Sequence, residues 1–196
     1  MRNERPSYDT DDELSPDDDF NIPKFAGPLP EFVFMKLALW YDNSLLRRFS
    51  GDHTATKLWL SRVIEFAKPR MTDPSLLVKI KLVVESARHI SRTLTANRAN
   101  LTSLSELNTG QFNSYFCYNS GTPDGILGIA FQGKPRKKCN FSSISISEYF
   151  QDYQSELSTA RVWVHELGHN IGMRFVLFLM SLRTNESQNR KVRGSL

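Results

Sequence analysis

Hydrophobic and polar positions in the first half of the chain repeat with periods that predict strands and helices in turn. Residues 32–41 are almost continuously apolar, which is typical of a strand buried on both faces of a sheet. Asp52 is placed to cap a helix that continues at helical spacing until Pro69 ends it. Residues 78–85 alternate with a period of two and predict a half-buried strand, whose apolar side carries Val78, Ile80, Leu82 and Val84.

The second half shows shorter patterns. Residues 90–118 are polar, and we interpret 104–116 as a short helix. Residues 125–131 form an apolar run between turn signals and predict a strand, the residues around Ile144 and Ile146 predict another, and 156–170 predict a helix. Because strands and helices alternate, the sequence favours an α/β fold in which helices cover a sheet.

Charge and composition set the two ends apart from the segment between them. Residues 1–30 contain five prolines and most of the acidic side chains that give residues 1–31 a net charge of −6, so we expect an acidic disordered arm. The whole chain carries +4, but its basic residues are scattered, and we expect no nucleic-acid partner. No apolar run approaches the ~20 residues of a transmembrane segment. We do not expect the first residues to act as a signal peptide, so we expect either an intracellular chain or an incomplete version of a longer secreted protein.

One stretch of the last predicted helix carries residues suited to metal chemistry. His165 and His169 are four residues apart, so on a helix their imidazoles project from one face and can both reach one Zn²⁺. Glu166 follows the first histidine and could take a proton from a zinc-activated water and pass it to a leaving amine. Gly172 allows the backbone to turn sharply after the helix. This spacing predicts a zinc site that hydrolyses peptide bonds.

The segment His165-Glu-Leu-Gly-His169-Asn-Ile-Gly172-Met173 resembles the adamalysin/reprolysin (ADAM-like) family of metzincin zinc endopeptidases. Residues 125–133 are similar to the family's edge strand. The resemblance implies an α/β, metzincin-like upper subdomain with a twisted mixed sheet and an active-site helix, in a secreted or extracellular zinc metalloendopeptidase. It also implies an extended polypeptide substrate lying antiparallel along the edge strand, at Ile126, Leu127, Gly128 and Ile129.

The chain departs from the family pattern after the helix. The third zinc histidine of the family would fall at position 175, where this chain has Phe175. We therefore expect an incomplete metalloprotease domain over 31–173, with the lower subdomain largely missing and catalysis impaired. Residues 174–196 are an atypical tail that an alternative exon or a misjoined gene model would explain. A truncated isoform or a non-catalytic protease-like binding protein is the alternative function.

The remaining candidate residues leave several interpretations open. Cys117 and Cys139 are the only two cysteines and could form one disulfide, while the family resemblance suggests a structural cysteine near position 139. His53 and His89 are the only other histidines, and we interpret both as surface or core residues. A membrane-surface or nucleic-acid binder that uses the basic tail is a third class of function. The sequence indicates no oligomeric state.

Overall fold

The computed structural model describes residues 27–106, 112–118, 126–133, 143–149 and 155–173. These residues form five strands and four helices, in the order β1 (Phe32–Asp42), α1 (Asn43–Arg48), α2 (His53–Met71), β2 (Lys79–Ile90), α3 (Arg98–Ser105), β3 (Phe112–Tyr118), β4 (Gly128–Ala130), β5 (Ile144–Tyr149) and α4 (Ser155–Asn170). No helix among them is both long and apolar enough to span a membrane.

The five strands form one mixed sheet in the order β2-β1-β3-β5-β4. Strands β2, β1, β3 and β5 are parallel to one another. Strand β4 lies at the edge of the sheet and pairs with β5 in the antiparallel direction. Parallel neighbours need long crossover connections. Helices α1 and α2 lie between β1 and β2, and α3 lies between β2 and β3, whereas the chain passes through the edge strand β4 on its way from β3 to β5. The sheet therefore confirms the α/β fold and is consistent with a metzincin-like upper subdomain.

Side chains of alternate strand residues enter two hydrophobic cores, one on each face of the sheet. Leu37 and Leu39 of β1 join the core that contains the buried side of α2 and α4. On the opposite face, Tyr115 and Ile146 pack with residues of α3. Because α4 lies on the larger core, its position is set by the sheet and by α2 together.

The first half of β1 is more exposed than the apolar sequence predicts. Val33 and Phe34 are 39% and 68% exposed, whereas the second half of the strand is mostly buried. The cause is the register, because β3 pairs with β1 only from Leu37 onward. In the parallel partner β2, an irregularity opposite Leu37/Ala38 interrupts the period of two, and Val84 is exposed despite its place in the apolar pattern.

Two local predictions about secondary structure are wrong, and one short helix was missed. The expected helix over 104–116 is instead the end of α3 and the strand β3, which is buried because it lies in the middle of the sheet. Helix α2 continues past Pro69 to Met71, because the buried Ala67 and Met71 anchor its last turn in the core. The short helix α1 was not predicted; Asp42 caps it by accepting a hydrogen bond from the backbone N–H of Leu45 at 2.8 Å.

Candidate functional site

Helix α4 is held against the sheet by one apolar side and one buried hydrogen bond. Its side chains Ala160, Trp163, Val164 and Leu167 are fully buried and recur at helical spacing. The indole N–H of Trp163 donates a hydrogen bond to the hydroxyl of Ser114 in β3, at 2.8 Å. These contacts fix the distance between the sheet and the residues on the other side of the helix.

His165 and His169 lie on that side, and their rings meet nearly at right angles. The two Nε2 atoms are 3.0 Å apart, so one donates a hydrogen bond to the other. The ring centroids are 4.6 Å apart with an interplanar angle of 87°. Two nitrogens bound to one Zn²⁺ at about 2.0–2.1 Å with a tetrahedral angle would be about 3.3 Å apart. The pair therefore fits two positions of a zinc site after a shift of a few tenths of an ångström.

Both histidines are held toward the neutral form that binds metals. Burial lowers the pKa of His165, and the neighbouring His169 lowers it further. Burial also lowers the pKa of His169. A protonated imidazole has no lone pair to donate to a metal, so a lowered pKa keeps both side chains available as ligands at a more acidic pH than usual.

Glu166 is the most strongly perturbed acid of the site. Its side chain is only 5% exposed, and within the described part of the chain it has no hydrogen-bond or ion-pair partner. Burial therefore raises the pKa of Glu166 from 4.5 to about 8. A carboxyl group with a pKa near neutrality can both accept and return a proton, which is the property of a general base and acid.

Gly172 ends the helix with a left-handed residue, at a φ of 81°. The N–H of Met173 donates to the carbonyl of Gly168, and the N–H of Gly172 donates to the carbonyl of His169, both at 2.9 Å. This pair of bonds is the Schellman arrangement, in which a glycine lets the chain leave the helix at a sharp angle. The glycine of this turn lies three residues after the second histidine.

Strand β4 lies at the edge of the sheet and packs across α4 beside Glu166. A Cβ atom added to Gly128 would be 2.6 Å from Oε1 of Glu166 and 2.6 Å from Cγ1 of Val162, so a side chain at this crossing would force these neighbours to shift. Among the described residues no strand pairs with the outer side of β4. Ile126 and Leu127, which precede the strand, are exposed hydrophobic residues. The strand is shorter than predicted, but Ile129 and Gly128 lie within it.

Sequence reasoning missed two residues that join this edge strand to the helix. Gly133 approaches the helix so closely that a Cβ there would overlap the backbone carbonyl of Asn170. The side-chain amide of Asn170 in turn bonds to the backbone of two strands. The glycine at the end of the 125–133 segment was the available signal, because glycine often marks a close backbone approach.

The candidate ligand set stays incomplete in the described residues, where no group of three or more His, Cys, Asp or Glu side chains could hold a metal. Phe175 and Cys139 lie outside that part of the chain. Cys117 is a buried free thiol, so the structure shows no disulfide at this residue. Burial, reinforced by Asp42 and Glu148, raises the pKa of Cys117, which makes the thiol a poor nucleophile.

The other two histidines meet at a second place, which the sequence did not predict. His53 begins α2 and His89 lies near the end of β2, and their ring centroids are 5.3 Å apart. Nδ1 of His53 forms a hydrogen bond of 2.9 Å with the hydroxyl of Tyr41. Nε2 of His89 donates to Oδ1 of Asn43 at 2.8 Å. Neither histidine belongs to the group around α4.

Comparison with known proteins gives a family and a fold. The reprolysin model of metallo-peptidase family M12 matches residues 35–174. A solved structure titled "Structure of a chaperone-substrate complex" contains a chain of similar fold, with a TM-score of 0.53 and 13% sequence identity. The similarity covers 72% of this chain and 26% of that one, so this chain spans only about a quarter of it. No curated protein matched the sequence.

Proposed function

Because the chain belongs to metallo-peptidase family M12, we propose that helix α4 carries the centre of a zinc-dependent endopeptidase. His165 and His169 would supply two imidazole ligands, and Glu166 would act as the general base. The observation that carries the proposal is the 3.0 Å separation of the two Nε2 atoms, with the buried carboxyl group of Glu166 on the adjoining residue and beside the edge strand.

Each part of the site has one task in this proposal. The neutral imidazoles hold the metal, and Glu166 takes a proton from the attacking water and returns it to the leaving amine. When bound, Zn²⁺ supplies Lewis-acid polarisation of the peptide carbonyl and lowers the pKa of water. Strand β4 binds an extended polypeptide through the backbone groups on its outer side, with which no described strand pairs, and orients the scissile bond over the helix.

We also propose that this chain binds zinc weakly and turns over slowly. Catalytic zinc sites usually have three protein ligands, and the position expected for the third is occupied by Phe175, whose ring carries no lone pair for a metal. Two imidazoles alone leave the metal dependent on water or other small ligands for its remaining positions. Purified protein should therefore contain less than one zinc per chain.

Zinc titration with paired histidine variants tests the metal site. We expect His165→Ala/His169→Ala to abolish zinc binding, and the matched pair His53→Ala/His89→Ala to leave it unchanged, since the second pair lies elsewhere in the fold. Zinc binding that survives the first double substitution would place the site elsewhere. Tight one-to-one zinc binding, together with peptide cleavage that Glu166→Ala abolishes, would support the site but contradict the proposed impairment.

Peptide binding without catalysis is the second candidate function. The exposed Ile126 and Leu127 favour it, because they lie beside a strand edge that no described strand covers, and such an edge can add a further strand without any metal. Binding of extended peptides that a chelator does not weaken would support this function. Binding lost on chelation would instead indicate that the metal centre takes part.

The domain limits and the location are proposals of the same kind. We propose that an incomplete metalloprotease domain spans 31–173, between an acidic arm and the tail 174–196; the family match itself covers 35–174. Membership of the family also supports an extracellular location and a polypeptide substrate.

A further inference from the structure

The side chain of Asn170 connects α4 to the two strands that end beside it. Asn170 is the last residue of the helix and is only 5% exposed. Its side-chain Nδ2 donates a hydrogen bond of 3.0 Å to the carbonyl of Phe131 and another of 2.9 Å to the carbonyl of Ile144. Phe131 immediately follows β4, and Ile144 begins β5. A single amide therefore spans both strands at the point where their ladder ends.

A backbone contact lies immediately beside this amide. The N–H of Gly133 donates a hydrogen bond of 2.7 Å to the carbonyl of His169, which also accepts from the N–H of Gly172. The close approach depends on the missing side chain, because a Cβ at position 133 would overlap the carbonyl of Asn170. The segment that leaves the edge strand is thus fastened to the residue that carries one imidazole of the candidate metal pair.

We propose that Asn170 is a positioning residue that, with Gly133, couples metal binding on α4 to the placement of strand β4. We name the three hydrogen bonds from Asn170 and Gly133 the clasp. The inference rests on the proposed function, since it assigns zinc to His165 and His169 and the polypeptide to the edge strand. The clasp sets the distance between them, and Asn170 itself contacts neither zinc nor substrate.

Coupling of this kind has a reciprocal consequence. If zinc orders His169 and the clasp transmits that order to residues 126–133, then ordering the edge strand must favour zinc by the same factor. Residues that position metal ligands without touching the metal typically change its affinity by about 10- to 100-fold when substituted. The side chain of Asn170 bonds to the two strands and not to either histidine, and His169 is reached only through its own carbonyl, which accepts from Gly133. We therefore expect the lower figure, about tenfold.

Hydrogen exchange of the full chain, with Asn170→Ala and the matched control Asn113→Ala, tests the clasp. Asn113 is also a buried asparagine with a bonded side chain, accepting from the indole of Trp40 at 3.0 Å, but it lies in β3. In metal-free protein, Asn170→Ala should accelerate exchange of the 126–133 amides by at least tenfold relative to the control. Zinc should slow exchange of this segment in the unsubstituted chain and much less in Asn170→Ala. The zinc affinity of Asn170→Ala should be about tenfold weaker than that of Asn113→Ala.

The outcomes separate this inference from the function on which it rests. Equal exchange of residues 126–133 in the two variants, or equal zinc affinities, overturns the positioning role. Failure of the unsubstituted chain to bind zinc overturns the proposed function and the coupling, while the metal-free exchange still decides whether the clasp places β4. Should Asn170→Ala not fold, Gly133→Ala replaces it. The added Cβ parts the loop from the helix and should accelerate the same amides.

Discussion

Replacement of Glu166 by glutamine should change how the stability of the metal-free chain depends on pH. Burial raises the pKa of this carboxyl group from 4.5 to about 8 in the folded chain, whereas the unfolded chain returns it to water. A group whose folded pKa is the higher one contributes stability that is fully present below 4.5 and is lost as the pH rises toward 8. Glutamine has nearly the same shape and does not titrate.

The size of this change in the free energy of unfolding follows from the difference between the pKa values of Glu166 in the folded and unfolded chains. Between pH 4.5 and pH 8 each pH unit removes about 1.4 kcal/mol from the free energy of unfolding. The unsubstituted chain should therefore lose about 3 kcal/mol through Glu166 between pH 4.5 and pH 7. The lowered pKa values of His165 and His169 act in the opposite direction, adding stability as the pH rises to 6.5, but they do so in both chains.

Urea unfolding in the presence of a chelator, repeated from pH 4.5 to pH 8, measures this difference. The advantage of Glu166→Gln over the unsubstituted chain should grow by about 3 kcal/mol up to pH 7. Glu65→Gln is the control, because that side chain is 67% exposed on α2, and its difference from the unsubstituted chain should change far less. If the difference for Glu166→Gln were constant over the pH range, the buried carboxyl group would not have the environment described here.

Two glycine substitutions test the surroundings of the site by unfolding measurements. Gly128→Ala should lower the free energy of unfolding by about 1–3 kcal/mol through overpacking against Glu166. The control Gly27→Ala should be nearly neutral, because no atom lies within 4 Å of its added Cβ. Equal effects of the two substitutions would contradict the tight crossing of β4 and α4. Gly172→Ala should lower the free energy of unfolding by about 1–2 kcal/mol, because alanine is strained in the left-handed backbone conformation of this residue. The loss should exceed that of Gly51→Ala, since Gly51 has a similar φ but open space around it. A smaller loss at 172 than at 51 would refute the close packing at the helix end.

Local sequence signals predicted the elements whose stabilising contacts are near in the chain. Helix α4 was expected over 156–170 and is observed over Ser155–Asn170, and Asp52 caps α2 through hydrogen bonds to the N–H groups of Thr54 and Ala55. The spacing of His165 and His169 already placed both rings on one helix face. Each of these features depends on residues within four or five positions of one another.

Strand β3 could not be predicted from local sequence signals. Residues 112–118 were assigned in part to a helix, but they form the strand between β1 and β5, and their backbone groups pair with residues about 30 and about 75 positions away. The pattern of apolar and polar residues in this segment could not reveal those partners. The exposure of Phe34 has a similar origin, since it depends on where β3 begins to pair with β1.

The sequence alone determined which side chains share one face of the helix, because a pair of imidazoles one turn apart with a neighbouring carboxylate follows from helical geometry. Only the tertiary structure decided the state of those groups and what surrounds them. The burial that raises the pKa of Glu166 comes from packing against the edge strand, and the bonds of Asn170 join residues 26 and 39 positions apart. Such properties arise from atoms that only the folded sheet brings together, so no local pattern of residue types records them.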